Sequence, residues 1–250
     1  KIMTTVYTFV NHKGGVGKTT TTIILAHLLA IWLYRVLIVD LDPQGHCATT
    51  LNVEPNQNAF NLLVTGQPPS LWVQPTGREN LWIIPGNNMT SAAQAVMTAT
   101  NKPISAIRDV LKPLFKDFDY IFLDTAPSTG GIQERAIWAA DRVIIPTATE
   151  FLALDGLKKV VSMTVELHER GWKGKIAGVL PTFFDEQTNQ SKTAIAQLSE
   201  AFGNRLLPPI HRATVLRECA AEGVTIFEKD PKSRAALEYT AVADYLRKLA

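Results

Sequence analysis

The sequence predicts an α/β fold: one domain over residues 1–250, with a mostly parallel, twisted sheet and helices on both faces. Three observations predict it. Short runs rich in β-branched and aromatic residues alternate with longer segments of helical character. These short runs are almost wholly apolar, as is typical of strands covered on both faces. The chain has 250 residues, 46% of them hydrophobic, which is enough to bury one large core.

The predicted strands are the apolar runs that end at turn-forming or acidic residues. We place them at residues 6–10, 35–40, 81–84, 120–124, 142–146 and 176–180, with a short strand near 206–207. The longer segments between them predict helices at residues 18–33, 91–99, 104–115, 131–139, 154–170, 191–202, 213–221 and 233–250.

Two segments need separate comment. Residues 67–80 carry three prolines and are expected to form an irregular surface excursion. The first helix lacks the glycine that often ends a helix, since the chain reads Trp32-Leu33-Tyr34-Arg35 at that point. We expect Trp32 and Tyr34 to pack inward, with contact to a partner protein as the alternative.

Composition excludes several classes of protein. The formal charge of +2 creates no global basic field, so any contact with nucleic acid must come from a local patch. Cys47 and Cys219 lie too far apart in sequence for a metal or redox motif, which suits a reducing cytosol and argues against an iron–sulfur protein. No apolar stretch approaches the ~20 residues of a membrane span, and no signal peptide is evident. The first residue is lysine, so we expect Lys1 and its neighbours to be either foreign or trimmed.

Residues 11–20 predict a phosphate-binding loop. They read Asn-His-Lys-Gly-Gly-Val-Gly-Lys-Thr-Thr, directly after the first strand and before the first helix. Glycines allow successive N–H groups to point at one anion, and the helix N-terminus adds its dipole. In such a loop Lys18 reaches the β- and γ-phosphates and Thr19 ligates Mg²⁺. The loop predicts a P-loop NTPase fold, with nucleotide bound by Gly14, Gly15, Val16, Gly17, Lys18, Thr19 and Thr20. We also expect nucleotide contacts from Pro181 and Thr182, which follow the sixth predicted strand.

Two acidic segments follow predicted strands. Asp40-Leu41-Asp42-Pro43-Gln44-Gly45 follows the second strand, and Asp124 ends the fourth. Ligands of parallel sheets bind beyond the carboxyl ends of the strands, and Mg²⁺ prefers oxygen ligands. We therefore expect Asp124 to support the metal, acting through a water. Asp40 and Asp42 are expected to face opposite ways, one toward the metal and the other toward the attacking water. The alternative for either segment is an ordinary turn or helix cap.

Together these motifs resemble the ParA/Soj/MinD family of deviant Walker-box ATPases, and the ParA branch in particular. Residues 13–20 match the deviant loop, which carries an extra lysine at Lys13, and residues 40–45 match the family's switch segment. Residues 120–128 look like the Walker B strand, while 139–141, 151–157 and 230–233 look like further ParA landmarks. The similarity spans nearly the whole chain.

The resemblance implies an ATPase that needs ATP and Mg²⁺ and has slow basal turnover. Two copies would form a sandwich dimer around two nucleotides, with Lys13 reaching the partner's phosphates. Lys18 would bind phosphate, Asp42 would position the attacking water, and Asp40, Asp124 and Thr19 would support the metal. The dimer would bind DNA non-specifically in the cytoplasm, on the nucleoid. A ParB-like or cargo-adaptor protein would stimulate hydrolysis and release it.

The DNA contacts are less well defined by the resemblance. Gln187 and Val215 stand where relatives commonly carry arginine, and His211 replaces a usual proline. A cluster of basic side chains remains toward the C-terminus, and a dimer doubles such a patch. The candidate contacts are Arg205, Arg212, Arg217, Lys232 and Arg234. The alternative is that they are scattered, solvated charges.

Other functions stay open. A close variant would position a protein cargo, such as a microcompartment, instead of a plasmid or chromosome. A MinD-like regulator would bind membrane through a C-terminal amphipathic helix, although residues 241–250 look more like a packing helix. A metabolic amidoligase or synthetase would need an acceptor pocket, which the sequence does not mark.

Overall fold

The structure is a computed structural model that describes residues 3–55, 58–127, 131–149 and 153–249, with side chains from 156 onward in the last range. Its strands are β1 Thr5–Phe9, β2 Val36–Asp40, β3 Gln74–Pro75, β4 Leu81–Ile84, β5 Tyr120–Asp124, β6 Arg142–Ala148 and β7 Lys175–Thr182. They form one sheet in the order β3-β4-β2-β5-β1-β6-β7. All neighbours are parallel except the edge pair β3 and β4. The predicted α/β class with a mostly parallel sheet is confirmed.

Helices cover both faces of this sheet. They are α1 Lys18–Ile31, α2 His46–Leu51, α3 Ala59–Val64, α4 Met89–Ala99, α5 Ala106–Leu111, α6 Gly131–Ala139, α7 Ala153–Glu169, α8 Asn189–Phe202, α9 Val215–Glu222, α10 Ile226–Lys229 and α11 Arg234–Leu249. Short 3₁₀ turns lie at Pro69–Trp72, Lys112–Leu114 and Gly203–Arg205.

Successive side chains of a strand point to opposite faces of the sheet, so each strand contributes to the apolar layer on either side of it. Tyr7 and Phe9 of β1 pack in the layer that contains α1, α2 and α9 to α11. Val6 of β1 lies on the opposite face of the sheet and packs with residues of α3 to α6. Val143 of β6 packs against α7 and α8. The strands are buried on both faces, as their apolar runs predict.

Helix α1 ends in a Schellman motif with leucine at the position that usually holds glycine. Leu33 donates its N–H to the Ala30 carbonyl at 2.9 Å, and Tyr34 donates to the Leu29 carbonyl at 3.1 Å. Leu33 takes the left-handed conformation, with φ at 68°, and is 75% exposed. The absence of a capping glycine therefore leaves the motif intact and places a strained residue within it.

The aromatic residues beside Leu33 pack inward, as predicted. Trp32 and Tyr34 lie partly buried against the core, and the Tyr34 ring meets that of Tyr120 edge-on at 5.2 Å between centroids. The Arg247 guanidinium lies over the Trp32 ring at 5.4 Å.

Several predicted boundaries were wrong. The short strand at 206–207 is absent: Leu206 forms only an isolated bridge with Val179. The helix predicted at 104–115 ends at Leu111 and continues as a 3₁₀ turn, because Pro113 lacks an N–H for the helical ladder. The excursion at 67–80 contains a 3₁₀ turn and the edge strand β3, where Pro75 is tolerated. The sequence prediction missed the one- to two-turn helices α2 and α3, which are too short to show periodicity.

The last helix packs on the domain, as expected. Its apolar face is buried in the same cluster as α1, and the Tyr7 hydroxyl donates to the Leu246 carbonyl at 3.0 Å. Among the described residues, no helix combines the length and apolar character required to cross a bilayer. Ser128, Phe151 and Leu152 of the family landmarks, and the chain ends Lys1 and Ala250, lie outside the described residues.

Candidate functional site

The phosphate-binding loop connects β1 to α1 at the carboxyl edge of the sheet. Gly15 and Gly17 adopt left-handed conformations, with φ at 69° and 81°, which glycine reaches without strain. Asn11 holds the start of the loop: its amide donates to the Pro146 carbonyl at 2.8 Å, and its Oδ1 accepts from the Lys13 N–H at 2.9 Å. The loop is thus anchored between β1 and β6.

Lys18 lies in the floor of this loop. Its side chain is buried, and its ammonium group donates to the Lys13 carbonyl at 3.2 Å. Burial lowers the pKa of Lys18, and the carboxylates of Asp124 and Asp42 oppose that shift. An ammonium group in this position is suited to bind a phosphate anion that enters the loop.

Asp124 lies where three segments meet. The Thr19 hydroxyl donates to its Oδ2 at 2.7 Å, and the Thr22 hydroxyl donates to its Oδ1 at 3.2 Å. The Cys47 thiol lies 3.4 Å from Oδ2 as a further donor. Neither Thr22 nor Cys47 was predicted. Thr22 follows Thr19 by three residues on a helix and therefore shares its face, a signal that was available.

Asp40 and Asp124 are brought side by side by strand register, since they are paired residues on β2 and β5. Both are fully buried, and burial is the main cause that raises the pKa of Asp40 well above its usual range and that of Asp124 to about 6. A cation bound between two such carboxylates would offset the cost of burial and favour their ionised forms.

The oxygen atoms gathered here are suitable ligands for Mg²⁺, which prefers hard oxygen ligands. Thr19, Asp40 and Asp124 supply hydroxyl and carboxylate oxygens at one edge of the sheet. The Cys47 thiol lies among them, but burial and both carboxylates raise its pKa, which keeps it protonated. A protonated thiol is a hydrogen-bond donor, so Cys47 is better suited to orient Asp124 than to ligate the ion.

The expectation that Asp40 and Asp42 face opposite ways does not follow from an extended chain, in which residues i and i+2 share a face. The chain leaves the strand after Asp40 and turns. The Asp40 carboxylate accepts from the N–H groups of Asp42 at 3.0 Å and Cys47 at 3.1 Å. The Asp42 carboxylate accepts from the Gln44 N–H at 2.9 Å. It is therefore the turn after Asp40, and not alternation along a strand, that sets where the two carboxylates lie.

Gly86, which follows β4, was also missed. A Cβ atom on this residue would lie 2.5 Å from the Asp42 carbonyl oxygen and 2.9 Å from Cγ of Asp40. Gly45 approaches from the other side, because its own Cβ would lie 2.5 Å from the Gly86 carbonyl oxygen. The switch segment, residues 40–45, therefore packs directly on the backbone at Gly86.

Next to the loop lies a cavity of about 210 Å³. Gly17 and Thr20 form one wall, and Thr182 and Phe183 after β7 form another. The Thr182 hydroxyl donates to the Val16 carbonyl at 2.9 Å, and Pro181 pairs through its carbonyl with the Ile210 N–H at 2.9 Å. The cavity is placed to receive the part of a nucleotide that extends from the phosphates. Of the two residues predicted here, Thr182 lines the cavity and Pro181 does not, whereas Phe183 lines it and was not predicted.

The five basic candidates for DNA contact are exposed, but they are not equivalent. Arg212 and Arg217 line the 210 Å³ cavity beside the loop, and the Arg212 guanidinium lies 5.9 Å over the Phe183 ring. Arg234 forms ion pairs with Glu186 at 3.3 Å and Glu238 at 2.9 Å. Arg205 and Lys232 line neither that cavity nor the one around Arg234.

Known proteins are similar to this chain over most of its length. Residues 4–177 match the family model described as an AAA domain. The chain is 33% identical to the chromosome partitioning protein ParA of Myxococcus xanthus, covering 95% of this chain and 86% of that protein. It is 34% identical to the sporulation initiation inhibitor protein Soj of Bacillus subtilis, covering 93% and 94%.

Solved structures agree. Apo McdA from Cyanothece superposes with a TM-score of 0.90 at 26% identity, covering 97% of this chain and 99% of the other. A structure described as cobyrinic acid a,c-diamide synthase from Mycobacterium smegmatis, with bound ADP and magnesium, gives a TM-score of 0.84 at 28% identity, covering 98% and 95%. The chain belongs to the ParA/Soj/MinD family of deviant Walker-box ATPases.

Proposed function

We propose that this chain is a Mg²⁺-dependent ATPase that dimerises around ATP, binds DNA non-specifically and positions plasmid or chromosomal DNA. A ParB-like or cargo-adaptor protein would stimulate its slow hydrolysis. The observation that carries the proposal is the convergence of Thr19, Asp40 and Asp124 behind a loop with two lysines. The similarity to ParA and Soj supports the cargo class.

Each residue of the site has a distinct role in this proposal. Lys18 and the loop N–H groups bind the phosphates, and Thr19, Asp40 and Asp124 hold Mg²⁺, which when bound neutralises phosphate charge. The Asp42 carboxylate, only 7% exposed, accepts a hydrogen bond from the attacking water and orients it. Lys13 from the second copy stabilises the charge that develops on the phosphates, as an arginine finger does.

A DNA-binding assay with ATP, with ADP and without nucleotide tests the proposal, comparing the native chain with Asp42→Ala. Removal of the water-positioning carboxylate should leave nucleotide binding intact and lower hydrolysis by a factor on the order of 10² to 10⁴. The variant should therefore dimerise on ATP and remain on DNA. Asp244→Ala, an exposed carboxylate on α11, is the control. Equal DNA binding in all three nucleotide states would contradict the switch.

The similarity to a protein described as a diamide synthase favours a second, metabolic candidate. An amidoligase needs a pocket that recognises a carboxylate acceptor, and carboxylates are bound by cations. A cavity of about 600 Å³ lies beside the switch segment, between α4 and α6, and the described side chains that line it are uncharged. The positioning role therefore fits the site better, and phosphate release unaffected by added carboxylic acids would support it.

A further inference from the structure

The first turn of α7 lies against the start of the phosphate-binding loop. Gly156 in this turn belongs to the family landmark at residues 151–157, which has no part in the nucleotide site described above. A Cβ atom on Gly156 would lie 2.5 Å from Oδ1 of Asn11 and 3.3 Å from the backbone nitrogen of Lys13. The first distance is too short for any side chain, so only glycine lets the helix and the loop come this close.

Asn11 and Lys18 hold the backbone of Lys13 on both sides. Oδ1 of Asn11 accepts the Lys13 N–H at 2.9 Å, and the Lys18 ammonium group donates to the Lys13 carbonyl at 3.2 Å. Asn11 is fully buried, and its amide nitrogen donates to the Pro146 carbonyl on β6 at 2.8 Å. A shift of Asn11 would break a buried hydrogen bond, which is destabilising. The position of its Oδ1 atom therefore determines where the Lys13 backbone lies.

We propose that Gly156 is a positioning residue for Lys13. Helix α7 is fixed on the sheet by Leu157, which is 2% exposed and packs in the same apolar cluster as Val10. A side chain at position 156 could not be relieved by a small movement of the helix. It would instead displace Oδ1 of Asn11, and with it the backbone that carries the Lys13 ammonium group. The inference rests on the proposed role of Lys13 in the partner's site.

Gly156→Ala should therefore lower the rate of hydrolysis and spare nucleotide binding. A displacement of about 1 Å in a catalytic group can cost on the order of 10²-fold in rate. The N–H groups and Lys18 that bind the phosphates follow Lys13 in the loop and belong to, or adjoin, α1. We expect kcat for phosphate release to fall about 10- to 100-fold, while KM and the Kd for ATP stay within about twofold.

Gly174→Ala is the matched control for destabilisation. Its Cβ would come just as close to an oxygen atom, the Ala140 carbonyl, but at the opposite edge of the sheet from the loop. This variant should lose stability and keep the native kcat. A fall in kcat as large as that of Gly156→Ala would show that destabilisation alone lowers turnover, and would overturn the proposal.

Mixed dimers show whether Gly156 acts through Lys13. In a mixture of Gly156→Ala with Asp42→Ala, one site of each mixed dimer combines an intact Asp42 with an undisturbed Lys13 from the partner copy. Equal amounts should recover about a quarter of native phosphate release, as expected for Lys13→Ala mixed with Asp42→Ala. Recovery with Lys13→Ala alone would overturn this inference and leave the proposed function standing. Recovery with neither variant would refute the role of Lys13 across the interface, and this inference with it.

The contact itself is tested by thermal unfolding without nucleotide. Gly156→Ala should lower the Tm of the native chain by about 4–8 °C, because a rigid contact is overpacked. In Asn11→Ala the atom that the new Cβ meets is absent, so the same substitution should change the Tm by about 2 °C at most. An equal fall in both backgrounds would overturn the proposal. If Gly156→Ala does not fold, the double variant should still fold, and its failure to do so would equally overturn the proposal.

Discussion

The buried carboxylate of Asp124 destabilises the folded chain when it is ionised. The residue is buried beside Asp40, and this burial raises the pKa of its carboxyl group; the hydrogen bond from Thr19, the Lys18 ammonium group and the Cys47 thiol only partly offset the rise. The pKa of its carboxyl group is raised from 3.8 to about 6. A cation between the two carboxylates would remove the cost of ionising them, so metal binding and folding are linked here.

This linkage predicts a pH dependence. Because the folded pKa exceeds the unfolded one, the contribution of Asp124 is full below about pH 4 and is lost as pH rises through about 6. The loss corresponds to about 3 kcal/mol. Without metal, Asp124→Asn should therefore unfold about 6–12 °C higher than the native chain at pH 7.5, and about a third as much higher at pH 4.5. Thermal unfolding in chelator measures this.

The comparison needs a control for carboxylate loss in general. Asp244→Asn removes an exposed carboxylate paired with Arg247 and should follow the native chain at both pH values. Added Mg²⁺ should raise the melting temperature of the native chain and not of Asp124→Asn. A native chain that gains stability relative to Asp124→Asn between pH 4.5 and 7.5 would contradict the assignment.

At the level of secondary-structure elements, the switch segment depends on a contact with the end of β4. Gly86 has no side chain, which lets its backbone pass within contact of Asp40 and Asp42. The short helix α2 then begins after Gly45, and its Cys47 N–H donates to Asp40. The carboxylates are thus placed by a strand end that is distant in sequence.

Gly86→Ala should displace the switch segment, because the added Cβ would overlap the Asp42 carbonyl. We expect phosphate release to fall by about 10²-fold and stability by about 1–3 kcal/mol, with nucleotide binding retained. Gly131→Ala on α6 is the matched control, since its Cβ would meet only the guanidinium end of the long Arg135 side chain and no backbone atom. Phosphate release at the native rate in Gly86→Ala would show that the position of the switch segment does not depend on this contact.

For the whole molecule, the proposed dimer is tested by Lys13. If Lys13 acts in the partner's site, Lys13→Ala and Asp42→Ala should each lose hydrolysis alone. In a mixed dimer, one site then combines an intact Asp42 with an intact Lys13 from the partner copy. Mixing equal amounts should restore about a quarter of native phosphate release, because about half of the dimers are mixed and each has one working site of two. No recovery in the mixture would rule out the role across the interface.

DNA binding can be assigned by salt dependence. A residue that neutralises a phosphate contributes about one unit to the slope of log affinity against log salt. Arg217→Ala should lower the slope by about one, whereas Arg234→Ala should change it less, because Arg234 is already paired with Glu186 and Glu238. Arg108→Ala is the control, because Arg108 pairs with Asp141 at the N-terminal end of β6. Fluorescence anisotropy with ATP, alongside nucleotide binding, measures both effects.

Residues that are neighbours in sequence were predictable. The loop at 11–20 and the acidic residues at strand ends carry their chemistry in short, contiguous motifs, and apolar runs located six of the seven strands. Val215 illustrates the limit: it stands where relatives commonly have arginine, and the structure shows it packed against the core.

What the chain could specify locally was its α/β class, the phosphate loop and the carboxylates of the nucleotide site, because strand periodicity and glycine conformations act over a few residues. Tertiary packing decided the rest. Thr22 and Cys47 reach Asp124, Gly86 supports the switch segment, and Arg234 is neutralised, only because segments far apart in sequence meet at one edge of the sheet. Such contacts depend on register and packing between elements, for which a single sequence carries no local signal.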